Sequence, residues 1–338
     1  MEIPRFRLIS VFELDGMKKG KLLKWILKIL SAMVSFAVLF YLFQIFLTPH
    51  YLTDATVIVK GYDYLEKDSL DVVFLGTSQM FCTVDSGKLT RDYGISSYNF
   101  GGSSQSMGIT SYYFDEALKT QNPKVIMVEV FKTFNYNSEV NDEQISWNYS
   151  PMKMSFDKFW SLYTVSNGDT LKSFEHTFAP LLAYHSRWTS VNDADSDGEN
   201  DIDFVLHPEK YIDFSSRGFV ARDHYKTFQL TYAESDTTLR SIPDENKKAM
   251  LHIAEECQKR NIKLIFFKSP LTFWTRGDSL SVKQFMNENQ LSFVDLNDYL
   301  EEIGIDGETD FNDKWHVCES GAEKVTAFLA DRILKDIV

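Results

Sequence analysis

The chain has 338 residues, of which 44% are hydrophobic and 14% aromatic, enough for a sizeable core in one large domain or two smaller ones. A formal net charge of −13 argues against a nucleic-acid partner. Three cysteines (Cys82, Cys257, Cys318) are too few for a disulfide framework, and no pair has metal-ligand spacing. Cys82 and Cys318 could be bridged if their segments met in space, but buried free thiols are the expectation.

Residues 1–28 carry seven Lys/Arg against three Asp/Glu, a local charge of +4, which leaves −17 on the remainder. Residues 29–47 (ILSAMVSFAVLFYLFQIFL) then form an uncharged run of 19 residues, the length of a helix that crosses a bilayer. The basic flank predicts a cytoplasmic N-terminus and an extracytoplasmic main domain, by the positive-inside rule. Thr48-Pro49-His50-Tyr51 lacks a small-x-small cleavage pattern, so the run reads as a retained single-pass anchor. An acidic domain tethered in this way is not expected to lie flat on anionic lipid.

Residues 48–70 read as a connector containing a short helix. From 71 to 338 apolar runs and helical patterns alternate, which is the signature of βαβ units and a parallel sheet covered on both faces. The expected strands are 71–75, 96–100, 124–130, 262–267 and 291–296. The expected helices are 79–92, 106–120, 243–260, 280–289 and 319–337. Five strands give an α/β, doubly wound, mainly parallel sheet in a three-layer sandwich, whose sites form at the carboxyl ends of the strands. Between about 132 and 242 the rhythm breaks. That stretch, rich in Tyr, Phe, Trp, Asn and Ser, is expected to be an insertion with helices near 155–165 and 169–185, lying over one end of the sheet.

Three stretches carry candidate chemistry. The first strand stops at Gly76-Thr77-Ser78, which places Ser78 at a helix N-terminus as a nucleophile or simply as an N-cap. Near the end, Asp310-Phe311-Asn312-Asp313-Lys314-Trp315-His316 offers a base, His316, and a carboxylate, Asp313, to fix its tautomer. In the insertion, Asp193, Asp195, Asp197 and Asp201 with Gly198 reproduce most of a calcium loop, although Phe204 replaces the usual bidentate Glu. The alternative there is a solvated acidic loop. Lys268, ending the fourth strand, could face a substrate carboxylate or phosphate or sit in a structural turn. Trp147, Tyr149, Trp160, Tyr163, Tyr184 and Trp188 are expected to be mostly core, with a sugar-stacking wall as the alternative.

The two end motifs together resemble the SGNH/GDSL hydrolase superfamily. Gly76-Thr77-Ser78 stands where that family has its first block, G-[DNT]-S, and Asp313-Lys314-Trp315-His316 matches its last block, D-x-x-H. The resemblance implies a flavodoxin-like fold, Ser78 as nucleophile, His316 as base and Asp313 as its orienter. It also implies an oxyanion hole from the Ser78 N–H and the N–H of Gly101 or Gly102. The family's third block offers an Asn after the third strand. Here that place reads Glu129-Val130-Phe131-Lys132-Thr133-Phe134-Asn135, where only Asn135 or Lys132 could substitute.

With its N-terminal anchor, the chain looks like the membrane-tethered branch that includes DltD and the alginate acetylation proteins. That likeness implies a serine O-acyl esterase or O-acyltransferase acting on a cell-envelope polysaccharide or teichoic-type polymer, with a membrane-bound O-acyltransferase as partner. No cofactor is implied beyond a structural calcium. The rival expectation is a degenerate member that binds the polymer or that acyltransferase without catalysis.

Overall fold

The computed structural model describes residues 19–47, 53–166, 171–178, 201–228 and 236–337. Helix α1, Lys19–Leu47, contains a window, Gly20–Phe43, of mean hydropathy 2.2 and no burial, long and apolar enough to cross a membrane. Helix α2, Asp54–Asp63, follows in the connector, with Thr53 as its N-cap.

The α/β unit is a five-stranded, all-parallel sheet flanked by helices. In chain order its first half runs β1 Val72–Gly76, α3 Ser78–Phe81, α4 Ser86–Tyr93, β2 Ser97–Gly101, α5 Met107–Ala117 and β3 Val125–Glu129. The insertion contributes α6 Asp142–Tyr149, α7 Phe156–Val165, α8 Leu171–Phe178 and α9 Asp201–Leu206. The second half has α10 Asp244–Lys259, β4 Lys263–Lys268, α11 Arg276–Glu288, β5 Phe293–Asp295, α12 Leu300–Ile303 and α13 Glu319–Phe328, which ends in a π turn over Leu329–Leu334. The expected doubly wound fold is therefore present.

The strand order is β2-β1-β3-β4-β5, so the chain reverses its winding direction at β1. The reversal falls between β1 and β3, and in such sheets sites form at the carboxyl ends of the strands beside it. Every residue of β1, β2 and β3 is buried, as the apolar runs require of strands covered on both faces. Residues 217–220 of the insertion cover the exposed side of β2: the Arg217 carbonyl accepts the Asn99 N–H at 3.0 Å, and Arg217 Nε donates to the Ser97 carbonyl at 2.6 Å.

Two element boundaries differ from expectation for local reasons. The helix expected over 79–92 breaks after a single turn, because Asp85 caps a new helix by accepting the Lys88 N–H at 2.8 Å. The helix expected at 280 starts at Arg276 instead, where Thr275 and Asp278 form a reciprocal capping box. The three cysteines are buried and free, and burial pushes the Cys82 and Cys257 thiols up to about 12. Of the insertion aromatics, Tyr149 is core, whereas Trp160 and Tyr163 lie exposed on α7 with their rings stacked at 5.8 Å. Tyr184 and Trp188 lie outside the described residues.

Candidate active site

The turn after β1 is built by Gly76. Its φ of +144° favours glycine, and a Cβ there would come within 2.8 Å of the Glu129 Cβ. Thr77, not Ser78, is the N-cap: its hydroxyl accepts the Gln79 N–H at 3.2 Å. The Ser78 hydroxyl is thereby left for other work. Ser78 is the first residue of α3, where a backbone N–H has no acceptor within the helix.

The opposite wall is a tight hairpin over residues 310–318. Phe311 and Val317 form an antiparallel bridge, the Asn312 N–H donates to the His316 carbonyl at 3.0 Å, and the Cys318 N–H donates to the Asp310 carbonyl at 2.9 Å. Asp310 is fully buried and staples the base of the hairpin: it accepts from Lys324 Nζ at 2.5 Å, Ser320 Oγ at 2.7 Å and the Asp306 N–H at 2.8 Å. A further bond ties the tip to the chain after β4, where Thr272 Oγ1 donates to the Lys314 carbonyl at 2.9 Å.

These two walls bring residues 238 positions apart into contact. His316 Nε2 lies 2.8 Å from Ser78 Oγ, and His316 Nδ1 lies 3.0 Å from both Asp313 carboxylate oxygens. Two acceptor oxygens facing Nδ1 place the imidazole proton there, so Nε2 presents a lone pair that accepts the Ser78 hydroxyl proton. Asp313 Oδ1 also accepts the N–H groups of Trp315 at 2.6 Å and His316 at 2.8 Å. Desolvation alone would raise the Asp313 pKa; the hydrogen bonds from the His316 ring and from those two N–H groups outweigh it and hold the carboxyl below its usual range. The arrangement is a hydroxyl, a base and an oriented carboxylate in line, the geometry of a serine nucleophile relay.

The residues expected to supply oxyanion donors have the following partners. Gly101 ends β2 in register with Gly76, and a Cβ on Gly101 would fall 2.2 Å from the Gly76 carbonyl oxygen. The Gly102 N–H, expected to serve the oxyanion, instead donates to that carbonyl at 3.3 Å. One Asn135 Nδ2 hydrogen donates to Glu139, and the Asn135 carbonyl accepts from Asn246 Nδ2 at 2.7 Å. Of the expected donors, the Gly102 N–H and one Asn135 N–H are thus spent on acceptors within the protein.

Lys268 takes the structural one of the two places expected for it. It is fully buried, so it cannot face a solvated substrate anion. Its ammonium donates to Glu129 Oε1 at 2.8 Å, to the Ser269 carbonyl at 3.1 Å and to Gln79 Oε1, and sits over the rings of Phe131 at 5.2 Å and Trp274 at 5.4 Å. Desolvation lowers the Lys268 pKa, and the Glu129 carboxylate opposes that shift. The second Glu129 oxygen accepts the Phe131 N–H at 2.9 Å. This cluster ties Gln79, the residue after Ser78, to the ends of β3 and β4. Gln79 and Glu129 escaped the sequence reading, because a polar residue after a turn and a lone Glu at a strand end have many ordinary uses.

Beside His316 a cleft of about 540 Å³ opens, lined by Phe131, Lys132, Phe134, Asn135, Arg240, Phe273, Trp274 and Trp315 among others. Trp315 links it to the base, packing edge-on against Phe273 at 4.5 Å and Phe131 at 5.8 Å. Arg240 lies over the Phe134 ring at 4.3 Å. Burial lowers the Lys132 pKa against the pull of Glu139 and Glu129. The cleft has room for a small ring or acyl group, with aromatic walls, the cationic side chains of Lys132 and Arg240, and the carboxylates of Asp236 and Asp278, the latter paired with Arg240 at 3.1 Å.

The acidic loop cannot be placed: Asp193, Asp195 and Asp197 lie outside the described residues, and Asp201 begins α9. Among the described residues, no group of three or more His, Cys, Asp or Glu side chains could hold a metal ion. No protein-family model matches this chain, and no curated protein sequence matches it.

Proposed function

We propose that this chain is a membrane-anchored serine O-acyl esterase or O-acyltransferase, acting outside the cytoplasm on a cell-envelope polysaccharide or teichoic-type polymer. The observation that carries the reading is the continuous contact from Ser78 Oγ to His316 Nε2 and from His316 Nδ1 to Asp313. The resemblance of Gly76-Thr77-Ser78 and Asp313-Lys314-Trp315-His316 to the SGNH end blocks supports it, and so does a helix apolar enough for an anchor.

In this reading Ser78 Oγ attacks an acyl carbonyl while His316 Nε2 takes the hydroxyl proton, and Asp313 stabilises the imidazolium. The Ser78 N–H faces the tetrahedral oxyanion. The leaving alkoxide departs with the proton from His316, and an acyl ester remains on Ser78. Water then completes hydrolysis, or a polymer hydroxyl completes transfer, with His316 again removing the attacking proton. The aromatic cleft beside Trp315 is where the acyl or glycosyl portion fits.

One observation favours a second reading, a degenerate partner that binds the polymer or a membrane-bound O-acyltransferase. The Gly102 N–H and one of the two Asn135 amide hydrogens are spent on protein acceptors. Losing one oxyanion donor costs on the order of a hundredfold or more in rate.

Labelling the full chain with a fluorophosphonate probe separates the two. Wild type should label and Ser78→Ala should not. Absence of labelling in a folded wild-type chain would leave the binding reading.

A further inference from the structure

The apolar helix ends at Leu47 and α2 begins at Asp54, so six residues, 48–53, join them. Even fully extended, six residues span at most about 20 Å. The start of α2 is therefore pinned close to any bilayer that α1 crosses.

That start is also part of the candidate site's surroundings. Asp54 Oδ2 accepts from Arg222 Nη2 at 2.7 Å, and the Arg222 carbonyl accepts the N–H of Glu319 at 2.9 Å, three residues beyond His316. The Arg222 side chain also lies against Cys82, whose N–H bonds the Ser78 carbonyl at 2.9 Å. On the other side of the helix start, a Cβ on Gly102 would come 3.0 Å from the Ala55 Cβ. The first turn of α2 thus packs on the turn after β2 and is linked through Arg222 to the chain that follows the Asp313–His316 hairpin. The tether enters at the carboxyl edge of the sheet, the edge that holds the triad.

We infer that the site works against the membrane surface: the acyl ester, or the hydroxyl that receives the acyl group, is held at the bilayer and does not diffuse freely. The inference rests on the proposed serine chemistry and adds the location of its substrate. Residues 29–338 carry a charge of −17, which repels the domain from anionic lipid. The short tether overcomes that repulsion and keeps the triad at a high effective concentration of anything anchored beside it. A longer or stiffer tether would forfeit this gain without touching the chemistry.

The test places a stiff helical spacer, eight EAAAK repeats and about 60 Å long where helical, after His50 of the full chain in lipid vesicles. Two probes are compared: a fluorogenic acetate ester free in solution, and the same ester on a dialkyl lipid in the same vesicles. The spacer should leave Ser78 fluorophosphonate labelling and soluble-ester turnover unchanged. Turnover of the lipid-held ester should fall about tenfold or more. A flexible Gly/Ser spacer of equal residue count should cause a smaller loss, because it lets the domain return to the surface. Equal turnover of the lipid-held ester with and without the stiff spacer overturns the inference while the serine chemistry stands. A wild-type chain with no labelling and no turnover of either probe overturns the catalytic reading, and this inference with it.

Discussion

The two walls of the candidate site are held by opposite means. The nucleophile turn is locked by packing: Gly76 and Gly101 meet with no room for a Cβ, and beneath them Gln79, Glu129 and Lys268 are fully buried around one ammonium. The base hairpin is held by hydrogen bonds to carboxylates, with His316 and Asp313 partly open to solvent and Trp315 exposed. A buried charge cluster makes a rigid platform whose members are costly to remove singly. A hydrogen-bonded hairpin on Asp310 and Asp313 is instead sensitive to protonation, since its acceptors must stay ionised. The difference puts Ser78 on a rigid, buried support and the Asp313–His316 segment on one that depends on ionised carboxylates.

The largest expected effect probes the base side. Asp313→Asn keeps the shape but no longer holds the His316 proton on Nδ1, so the fluorophosphonate labelling rate should fall by roughly ten-thousandfold in a protein that still folds. A variant that labels at the wild-type rate would remove Asp313 from the relay.

Next in size is the nucleophile platform. Lys268→Met leaves the Glu129 carboxylate buried without its cation, and denaturant unfolding should show a loss of about 3–5 kcal/mol. Adding Glu129→Gln to it should recover part of that loss, since no uncompensated charge then remains. A single Lys268→Met variant as stable as wild type would mean that the ion pair does not set the platform.

The smallest effect concerns acid. The folded pKa values of Asp310 and Asp313 are lowered: desolvation alone would raise both, and hydrogen bonds from Lys324, the Asp306 N–H and Ser320 outweigh it for Asp310. A depressed carboxylate contributes stability that is fully present above the unfolded value, near 4, and is lost as pH falls through the folded value. Melting temperature should therefore be flat from pH 7 to about 5 and drop below 4, with a shallower acid drop in Asp310→Asn. Identical acid slopes for the two proteins would show that the hairpin staple is not what acid releases.

Much of this molecule was legible in the chain. Runs of five to seven residues gave all five strands within about two residues at each boundary, most plainly β1 and β3, which are apolar almost throughout because they are covered on both faces. Ser78, Asp313 and His316 were legible because a relay needs those side chains, and the D-x-x-H spacing puts two of them on one hairpin. The break after Phe81 was less visible, since Asp85 as a cap competes with continuing the helix. Lys268 was visible as a cation at a strand end, but its burial was not. That depends on β3 and β4 being neighbours, which pairs Glu129 with Phe267 and brings its carboxylate to Lys268.

By itself the sequence determined the α/β alternation, an apolar helix able to cross a membrane, and the serine, histidine and aspartate that form a relay. These follow from local rules: side-chain period, hydrophobic length and motif chemistry. Only the tertiary structure decided which groups those residues face. It turned the Gly102 N–H to Gly76, the Asn135 amide to Glu139 and the Lys268 ammonium inward, and set the start of α2 against Arg222, 168 positions away. Such contacts depend on the order in which parallel strands cross over, and no local pattern encodes that order.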